Sequence, residues 1–160
     1  MDAGGHAVKM DVTDDEQMVA GVEQIIGEQG RIDVLINNAG YGSYGAIEDV
    51  PIEEARRQFD VNLFGLVETI QAVLPTMRAQ RAGVIVNVSS VSSLRAGIAS
   101  GAYAAAKAAL NQFSQCAAME GAAHNVRVNV VAPGSMLTRW VPNITEEQIQ
   151  STIERSPLKR

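Results

Sequence analysis

Short apolar runs alternate with longer segments of helical periodicity along this chain. Four segments of five to seven residues have strand character: the first alternates apolar with polar residues, and the other three are runs rich in valine and isoleucine. They occupy positions 6–12, 32–36, 83–89 and 126–131. Strands separated by helices are joined by crossovers, which favours parallel pairing. The pattern therefore predicts an α/β protein with a doubly wound parallel sheet covered by helices on both faces.

Helix signals fill the gaps between these runs. The first helix has a candidate N-cap at Thr13 or Asp14 and a stop signal at Gly30. Pro51 suits the first turn of a long second helix over 52–80. Two further helices are predicted over 102–121 and 146–154.

Composition and charge narrow the range of functions. The 160 residues suffice for one domain, and a net charge of −5 argues against nucleic acid or anionic membrane as a partner. No apolar run approaches the roughly 18 residues of a membrane span, and no leader is evident, so we expect a cytoplasmic protein. Cys116, the only cysteine, shares an apolar helix stripe with Phe113 and is expected to pack there. No Cys/His spacing predicts a metal site.

One glycine motif matches a nucleotide-binding fingerprint but has the wrong context. Gly40-Tyr-Gly42-Ser-Tyr-Gly45 fits G-x-G-x-x-G, and Asp60 lies twenty residues further on. The fingerprint requires a helix that begins within the motif, so that its N-terminus meets a pyrophosphate. Here the next helix is predicted to begin only near Pro51. We therefore predict a flexible loop that borders a site.

The stretch 84–107 carries the strongest chemical signal. A buried strand ends at Ser89 and Ser90, and Tyr103 and Lys107 follow on one helix face. A phenol beside an ammonium, with a hydroxyl at a nearby strand end, suits acid/base chemistry. A free phenol titrates near 10, so work at neutral pH requires a pKa lower by about three units, which an adjacent ammonium favours. Taken singly, Ser90, Tyr103 and Lys107 are better explained as a capping serine, a surface tyrosine and a solvated lysine.

Several motifs in one order resemble those of the classical short-chain dehydrogenases/reductases. The matching elements are Asp11-Val12-Thr13-Asp14, Asn37-Asn38-Ala39-Gly40, Asn62, Ser90, Tyr103-Ala-Ala-Ala-Lys107, and Arg127-Val-Asn129 followed by Pro133-Gly134-x-x-x-Thr138. The resemblance extends over nearly the whole chain. It implies a single, partial Rossmann-like domain over 1–160 and an oxidoreductase that uses NAD or NADP to interconvert an alcohol and a carbonyl.

The resemblance also implies a role for each matching residue. Tyr103 would be the general acid/base, Lys107 would stabilise its phenolate and hold the nicotinamide ribose, and Ser90 would orient the substrate oxygen. Asn62 would interrupt its helix and hold a water that connects Lys107 to solvent. The residues implied to contact the cofactor are Asp11, Val12, Asn38, Ala39, Gly40, Tyr103, Lys107, Pro133, Gly134, Met136 and Thr138.

Three of these residues also have a structural interpretation. Asn62 could be a packing exception within its helix, Asp11 an acid near a helix N-terminus, and Thr138 a turn residue. Loops 41–50 and 136–144 would line the substrate side, and their apolar residues suggest an apolar carbonyl compound. By the same resemblance, the helices 63–80 and 102–121 would form the interface of a homodimer or homotetramer.

Two parts of the family pattern are not in the chain. The family begins with two strands and a T-G-x-x-x-G-x-G turn, and it ends with a further strand. In its strand order, 3-2-1-4-5-6-7, the run 6–12 then lacks a neighbour and the edge of 32–36 is open to association. A fragment, a mis-started reading frame and a degenerate copy are the alternatives. The functional alternative is an inactive interaction or oligomerisation module on the same scaffold.

Overall fold

Strands and helices alternate in the computed structural model, which describes residues 4–135 and 145–155. The strands are β1 (Val34–Asn37), β2 (Gly83–Val88) and β3 (Val126–Val131). The helices are α1 (Asp15–Gln29), α2 (Ile52–Phe59), α3 (Gly65–Gln80), α4 (Gly101–Ala122) and α5 (Glu146–Arg155). None of the described helices is long and apolar enough to cross a lipid bilayer.

The three strands form one parallel sheet in the order β1-β2-β3. Val34 pairs with Val84, and Val84 pairs in turn with Arg127. Since all three strands run in the same direction, their carboxyl ends lie at one edge of the sheet, where ligands of such folds bind. The predicted α/β class and parallel sheet are confirmed.

Residues 6–12, predicted as a strand, do not form one. A strand requires a neighbour for its backbone N–H and C=O groups, and within the described residues the sheet begins at β1. The segment packs against helices instead, with the Met10 side chain over Gly21 and Val12 against Gly65. The strand prediction is therefore wrong, because the apolar alternation was satisfied by helix contacts.

The helix boundaries follow the cap signals. Asp14 accepts a hydrogen bond from the Gln17 backbone N–H at 3.0 Å, and Gly30 ends α1 in the left-handed region with φ of 71°. The long helix predicted over 52–80 is divided into α2 and α3 by a π-helical turn at Asp60–Phe64. Asn62 lies inside this turn, so the expected interruption of the helix at Asn62 is confirmed.

The packed core lies on one face of the sheet. Leu35, Ile85 and Val128 are register partners on that face, and they belong to a cluster with side chains of three helices, among them Val22, Ile70, Val73, Met77 and Phe113. On the opposite face, Val34 and Ile36 are 54% and 63% exposed. The helical cover predicted for both faces is thus found on one face within the described residues.

Cys116 is exposed rather than packed, so that prediction is wrong. The buried residues of α4 include Ala106, Leu110, Ser114 and Gly121, which recur at helical spacing. Cys116 is two residues from Ser114, about 200° around the helix axis, and therefore falls on the opposite side.

A chain of buried polar side chains ties the strand ends to α4. The Asn37 Nδ2 donates to the Asn87 side-chain Oδ1 at 2.9 Å, and the Asn87 Nδ2 donates to the Ser114 hydroxyl at 2.8 Å. All three side chains are at most 5% exposed. Because each makes a hydrogen bond in a dry environment, they fix β1, β2 and α4 relative to one another where the sheet meets the site described below.

Among the described residues β1 is an edge strand of the sheet, which gives a first testable prediction. An edge strand with apolar, exposed side chains is a template for pairing with another chain. Ile36→Lys places a charge on this strand, and we expect it to lower the self-association of the 160-residue chain in sedimentation velocity. Val19→Lys is the matched control, since Val19 is 49% exposed on α1. Equal association of the two variants would show that the edge does not drive it.

Candidate active site

Lys107 is buried at the carboxyl end of β2. Its side chain is on α4, only 5% of the residue is exposed, and Nζ donates to the Val88 carbonyl oxygen at 2.9 Å. Burial lowers the pKa of the Lys107 ammonium to about 8, since the charged form loses hydration. The Ser89 hydroxyl donates to the Lys107 carbonyl oxygen at 3.2 Å, which joins the same turn of α4 to the strand end. The solvated-lysine alternative is therefore wrong.

Gly40 brings the loop after β1 close to this ammonium. A Cβ atom at Gly40 would lie 2.5 Å from the Asn62 Oδ1 atom and 3.3 Å from the Lys107 Nζ atom. Only glycine leaves enough room for the backbone at this distance. The structure thus brings together three predicted site residues from separate segments: Gly40, Asn62 and Lys107.

Asn62 binds the loop through both the oxygen and the nitrogen of its side-chain amide. Its Oδ1 accepts from the Tyr41 backbone N–H at 3.1 Å, and its Nδ2 donates to the Tyr41 carbonyl oxygen at 2.8 Å. The side chain is fully buried. π-Helical turns are frequent at functional sites. These hydrogen bonds give Asn62 a structural role, as the structural interpretation in the sequence analysis allowed.

Gln58 makes the same kind of contact one helical turn earlier, and sequence reasoning missed it. Its Oε1 accepts from the Ser43 backbone N–H at 3.2 Å, and its Nε2 donates to the Ser43 carbonyl oxygen at 3.3 Å. The spacing of four residues between Gln58 and Asn62 was the available signal, because it places two amides on one helix face.

Tyr103 lies in the first turn of α4, one turn before Lys107. It is half-buried, and its ring packs against the ring of Tyr44 with centroids 5.7 Å apart and an interplanar angle of 53°. This tilted arrangement is a favourable one for aromatic pairs. The loop that carries Tyr44 is also held by a 2.9 Å hydrogen bond from the Gly45 N–H to the Ala99 carbonyl oxygen. Tyr103 is therefore a half-buried residue that packs against loop 41–50, and not an isolated surface tyrosine.

Ser90 follows β2 and caps a short 3₁₀ turn at Val91–Ser93. Its Oγ accepts from the Ser92 N–H at 3.1 Å, so the capping interpretation is confirmed. The hydroxyl hydrogen remains available for donation, since the cap uses Oγ only as an acceptor. The Val91 N–H donates to the Pro133 carbonyl oxygen at 3.0 Å, which places the Pro133-Gly134 turn beside Ser90.

The remaining predicted cofactor residues belong to several segments of the chain. Asp11 is exposed, and its carboxylate accepts from the Thr13 N–H at 2.9 Å and hydroxyl at 2.8 Å, which lowers the pKa of the Asp11 carboxyl. Asn38 and Ala39 are exposed immediately after β1. Val12 is half-buried against Gly65. Met136 and Thr138 lie outside the described residues.

Asp60 lies within the π-helical turn, and the residues of the 40–45 loop are not helical. The first helix after the motif begins at Ile52. The decision against a dinucleotide fingerprint is therefore confirmed, because no helix N-terminus is available within the G-x-G-x-x-G motif.

Comparisons with known proteins agree on one family. The family model described as short chain dehydrogenase matches residues 3–149. The 3-ketodihydrosphingosine reductase of Bacteroides thetaiotaomicron is 42% identical over 84% of this chain and 50% of its own length. The acetoacetyl-CoA reductase of an Acinetobacter species is 37% identical over 96% of this chain and 62% of its own length.

Solved structures give the same result. A 7α-hydroxysteroid dehydrogenase complexed with NADH and 7-oxo glycochenodeoxycholic acid superposes with a TM-score of 0.89 at 32% identity, covering 94% of this chain and 59% of that one. A short-chain dehydrogenase from Streptomyces avermitilis gives a TM-score of 0.81 at 37% identity, covering 84% and 49%. The chain spans about half the length of the first relatives that it matches. It belongs to the short-chain dehydrogenase/reductase family.

Proposed function

We propose that the chain carries the proton-transfer part of an NAD(P)-dependent oxidoreductase that interconverts an alcohol and a carbonyl. The observation that carries the proposal is the buried Lys107 ammonium, one helical turn after Tyr103 and beside Gly40. Burying a charged group costs free energy. Buried ionisable groups with a shifted pKa are therefore found more often at functional sites than elsewhere. Because the chain belongs to a family of reductases and dehydrogenases, we explain the buried lysine by a catalytic set that consists of Ser90, Tyr103, Lys107 and Asn62.

The described residues fit a nicotinamide cofactor at the carboxyl edge of the sheet. Gly40 lets the loop backbone approach the Asn62 amide and the Lys107 ammonium, and Asn38 and Ala39 directly before it are exposed, which suits a ribose with its hydroxyl groups. Asp11, Val12, Asn38 and Ala39 would hold the adenosine part, and Pro133 and Gly134 would lie near the nicotinamide. When bound, the nicotinamide supplies or accepts the hydride at the reacting carbon.

The chain's own residues would handle the proton. Tyr103 gives a proton to the substrate oxygen during reduction and takes it back during oxidation. The Lys107 ammonium stabilises the phenolate that remains, because an opposite charge in a poorly hydrated environment interacts strongly. The Ser90 hydroxyl donates a hydrogen bond to the substrate oxygen and so orients the carbonyl. The water bridge from Asn62 to Lys107 stays a prediction.

An apolar substrate and a homo-oligomer are the finer parts of the proposal. Large apolar side chains are exposed in loop 41–50 and in the segment between β2 and α4, with Ile47 89% and Leu94 70% exposed. One relative is a 3-ketodihydrosphingosine reductase, and one structural neighbour is complexed with 7-oxo glycochenodeoxycholic acid; both compounds are largely apolar. For the homodimer or homotetramer, support comes from Phe64 and Met119, which are 51% and 81% exposed near α3 and on α4.

The test is a turnover assay with both reduced and both oxidised nicotinamide cofactors against apolar ketones and alcohols. We expect cofactor-dependent conversion of at least one ketone–alcohol couple by the chain, or by a longer protein that contains it. Absence of conversion by a protein that binds the cofactor would overturn the proposal.

A further inference from the structure

Gln58 is a fully buried polar side chain to which no catalytic role has been assigned above. It is on α2, four residues before Asn62, and its amide bonds to the backbone of Ser43 at both the N–H and the C=O. Burying an amide is costly unless both of its ends are hydrogen-bonded, as they are here. Because both hydrogen bonds of the Gln58 amide are made to Ser43, they fix the position of that loop residue.

The two amides match the geometry of the loop. Four residues of helix rise by about 6 Å, and two residues of extended chain advance by about 6.6 Å. The N–H and C=O of one residue point to the same side when the chain is extended. Asn62 and Gln58 can therefore bind Tyr41 and Ser43, two positions apart, as the edge of a neighbouring strand would. A third contact, from the Tyr41 hydroxyl to the Glu54 Oε1 at 3.0 Å, extends this row by another turn.

The loop thus held contacts the proposed catalytic residues at both ends. Gly40 borders the Lys107 ammonium. Tyr44, directly after Ser43, packs its ring against Tyr103 and also lies over Gly42, where a Cβ atom would be 2.7 Å from the Tyr44 hydroxyl. The fixed backbone of Ser43 therefore determines where the Tyr44 ring stands beside Tyr103.

We propose that Gln58 is a positioning residue of the site. It fixes the Ser43 backbone and thereby the position of the Tyr44 ring, which forms a wall of the substrate site beside Tyr103. The inference rests on the proposed function, since the wall would face the alcohol or carbonyl substrate. Asn62 secures the loop on the Lys107 side, and Gln58 secures it on the substrate side.

The test combines residue-resolved amide hydrogen exchange with steady-state kinetics. The variant is Gln58→Met, which keeps the approximate volume and removes both hydrogen bonds. The matched control is Gln24→Met, the same substitution on an exposed face of α1, where Gln24 bonds to Glu28. In the wild type we expect the Ser43 amide to be protected although it is in a loop. In Gln58→Met we expect its exchange to be at least about tenfold faster, with β2 amides unchanged.

The kinetic readout separates positioning from loss of folded protein. We expect Gln58→Met to raise KM for the alcohol or carbonyl at least about fivefold and to leave KM for the nicotinamide cofactor within about twofold. A smaller folded fraction would lower kcat without changing either KM. Unchanged exchange at Ser43, or faster exchange with an unchanged substrate KM, would overturn the inference.

A second variant keeps the outcome decisive. If Gln58→Met does not fold, Gln58→Asn, whose amide is too short to reach Ser43, is expected to give the same local increase in exchange. An unprotected Ser43 amide in the wild type would also overturn the inference. A wild type without turnover would count against the proposed function alone, because the exchange experiment would still report on the contact between Gln58 and Ser43.

Discussion

Tyr103→Phe is expected to lower cofactor-dependent turnover by at least about a hundredfold, the usual contribution of a general acid/base. The substitution removes one hydroxyl and keeps the ring, so the packing against Tyr44 at 5.7 Å should persist. The free energy of unfolding should therefore stay within about 0.5 kcal/mol of the wild type. The measurements are kcat/KM by loss of the reduced cofactor and stability by urea denaturation.

Tyr44→Phe is the matched control for this experiment. It removes the hydroxyl from the other ring of the same aromatic pair, and we expect a much smaller loss of kcat/KM than for Tyr103→Phe. Similar losses in the two variants would mean that the hydroxyl of Tyr103 has no special task. Retention of more than a few per cent of the wild-type rate by Tyr103→Phe would exclude it as the general acid/base.

Lys107→Met is expected to make the folded protein more stable near neutral pH while it disables the site. The difference between the ordinary lysine pKa of 10.5 and the value of about 8 in this burial corresponds to about 3 kcal/mol. Methionine avoids the cost of the buried charge but loses the hydrogen bond to the Val88 carbonyl, worth about 1 kcal/mol. The net gain in the free energy of unfolding at pH 7 should be about 2 kcal/mol.

The pH dependence gives the sharper form of this prediction. Between pH 8 and 10.5 the unfolded wild type still holds the Lys107 proton that the folded protein has lost, so the wild-type free energy of unfolding rises with pH in this window. Lys107→Met lacks this rise. The difference between Lys107→Met and the wild type should therefore fall by about 3 kcal/mol from pH 8 to 10.5, so that the variant becomes the less stable protein at the upper end, as measured by urea denaturation at each pH. A constant difference would show that the ammonium is not buried in solution.

The fold was largely predictable because its signals are local. The valine-rich run 126–131 coincides with β3, and Asp14 and Gly30 mark the ends of α1. The strand prediction for residues 6–12 was wrong because an alternation of apolar and polar residues does not specify a neighbouring strand for pairing. The position of Cys116 was misjudged because α4 has apolar residues on several sides, and only packing decides which stripe is buried.

The site was predictable to the extent that its residues act through spacing along one element. Tyr103 and Lys107 are one turn apart on α4, so their common face followed from the sequence. The closeness of Gly40, Asn62 and Lys107 depends on how three segments meet, which spacing does not encode. Gln58 was overlooked because a glutamine in a polar helix is usually exposed, and only the approach of the loop at Ser43 buries it.

The most direct test of the central claim is a fluorescence titration of the chain with NADH and with NADPH, performed on the wild type, Lys107→Met and Gln24→Met. We expect saturable binding of at least one cofactor at submillimolar concentration, weakened at least about tenfold by Lys107→Met and unaffected by Gln24→Met. Absence of saturation up to millimolar concentration, or equal affinity of the wild type and Lys107→Met, would contradict it.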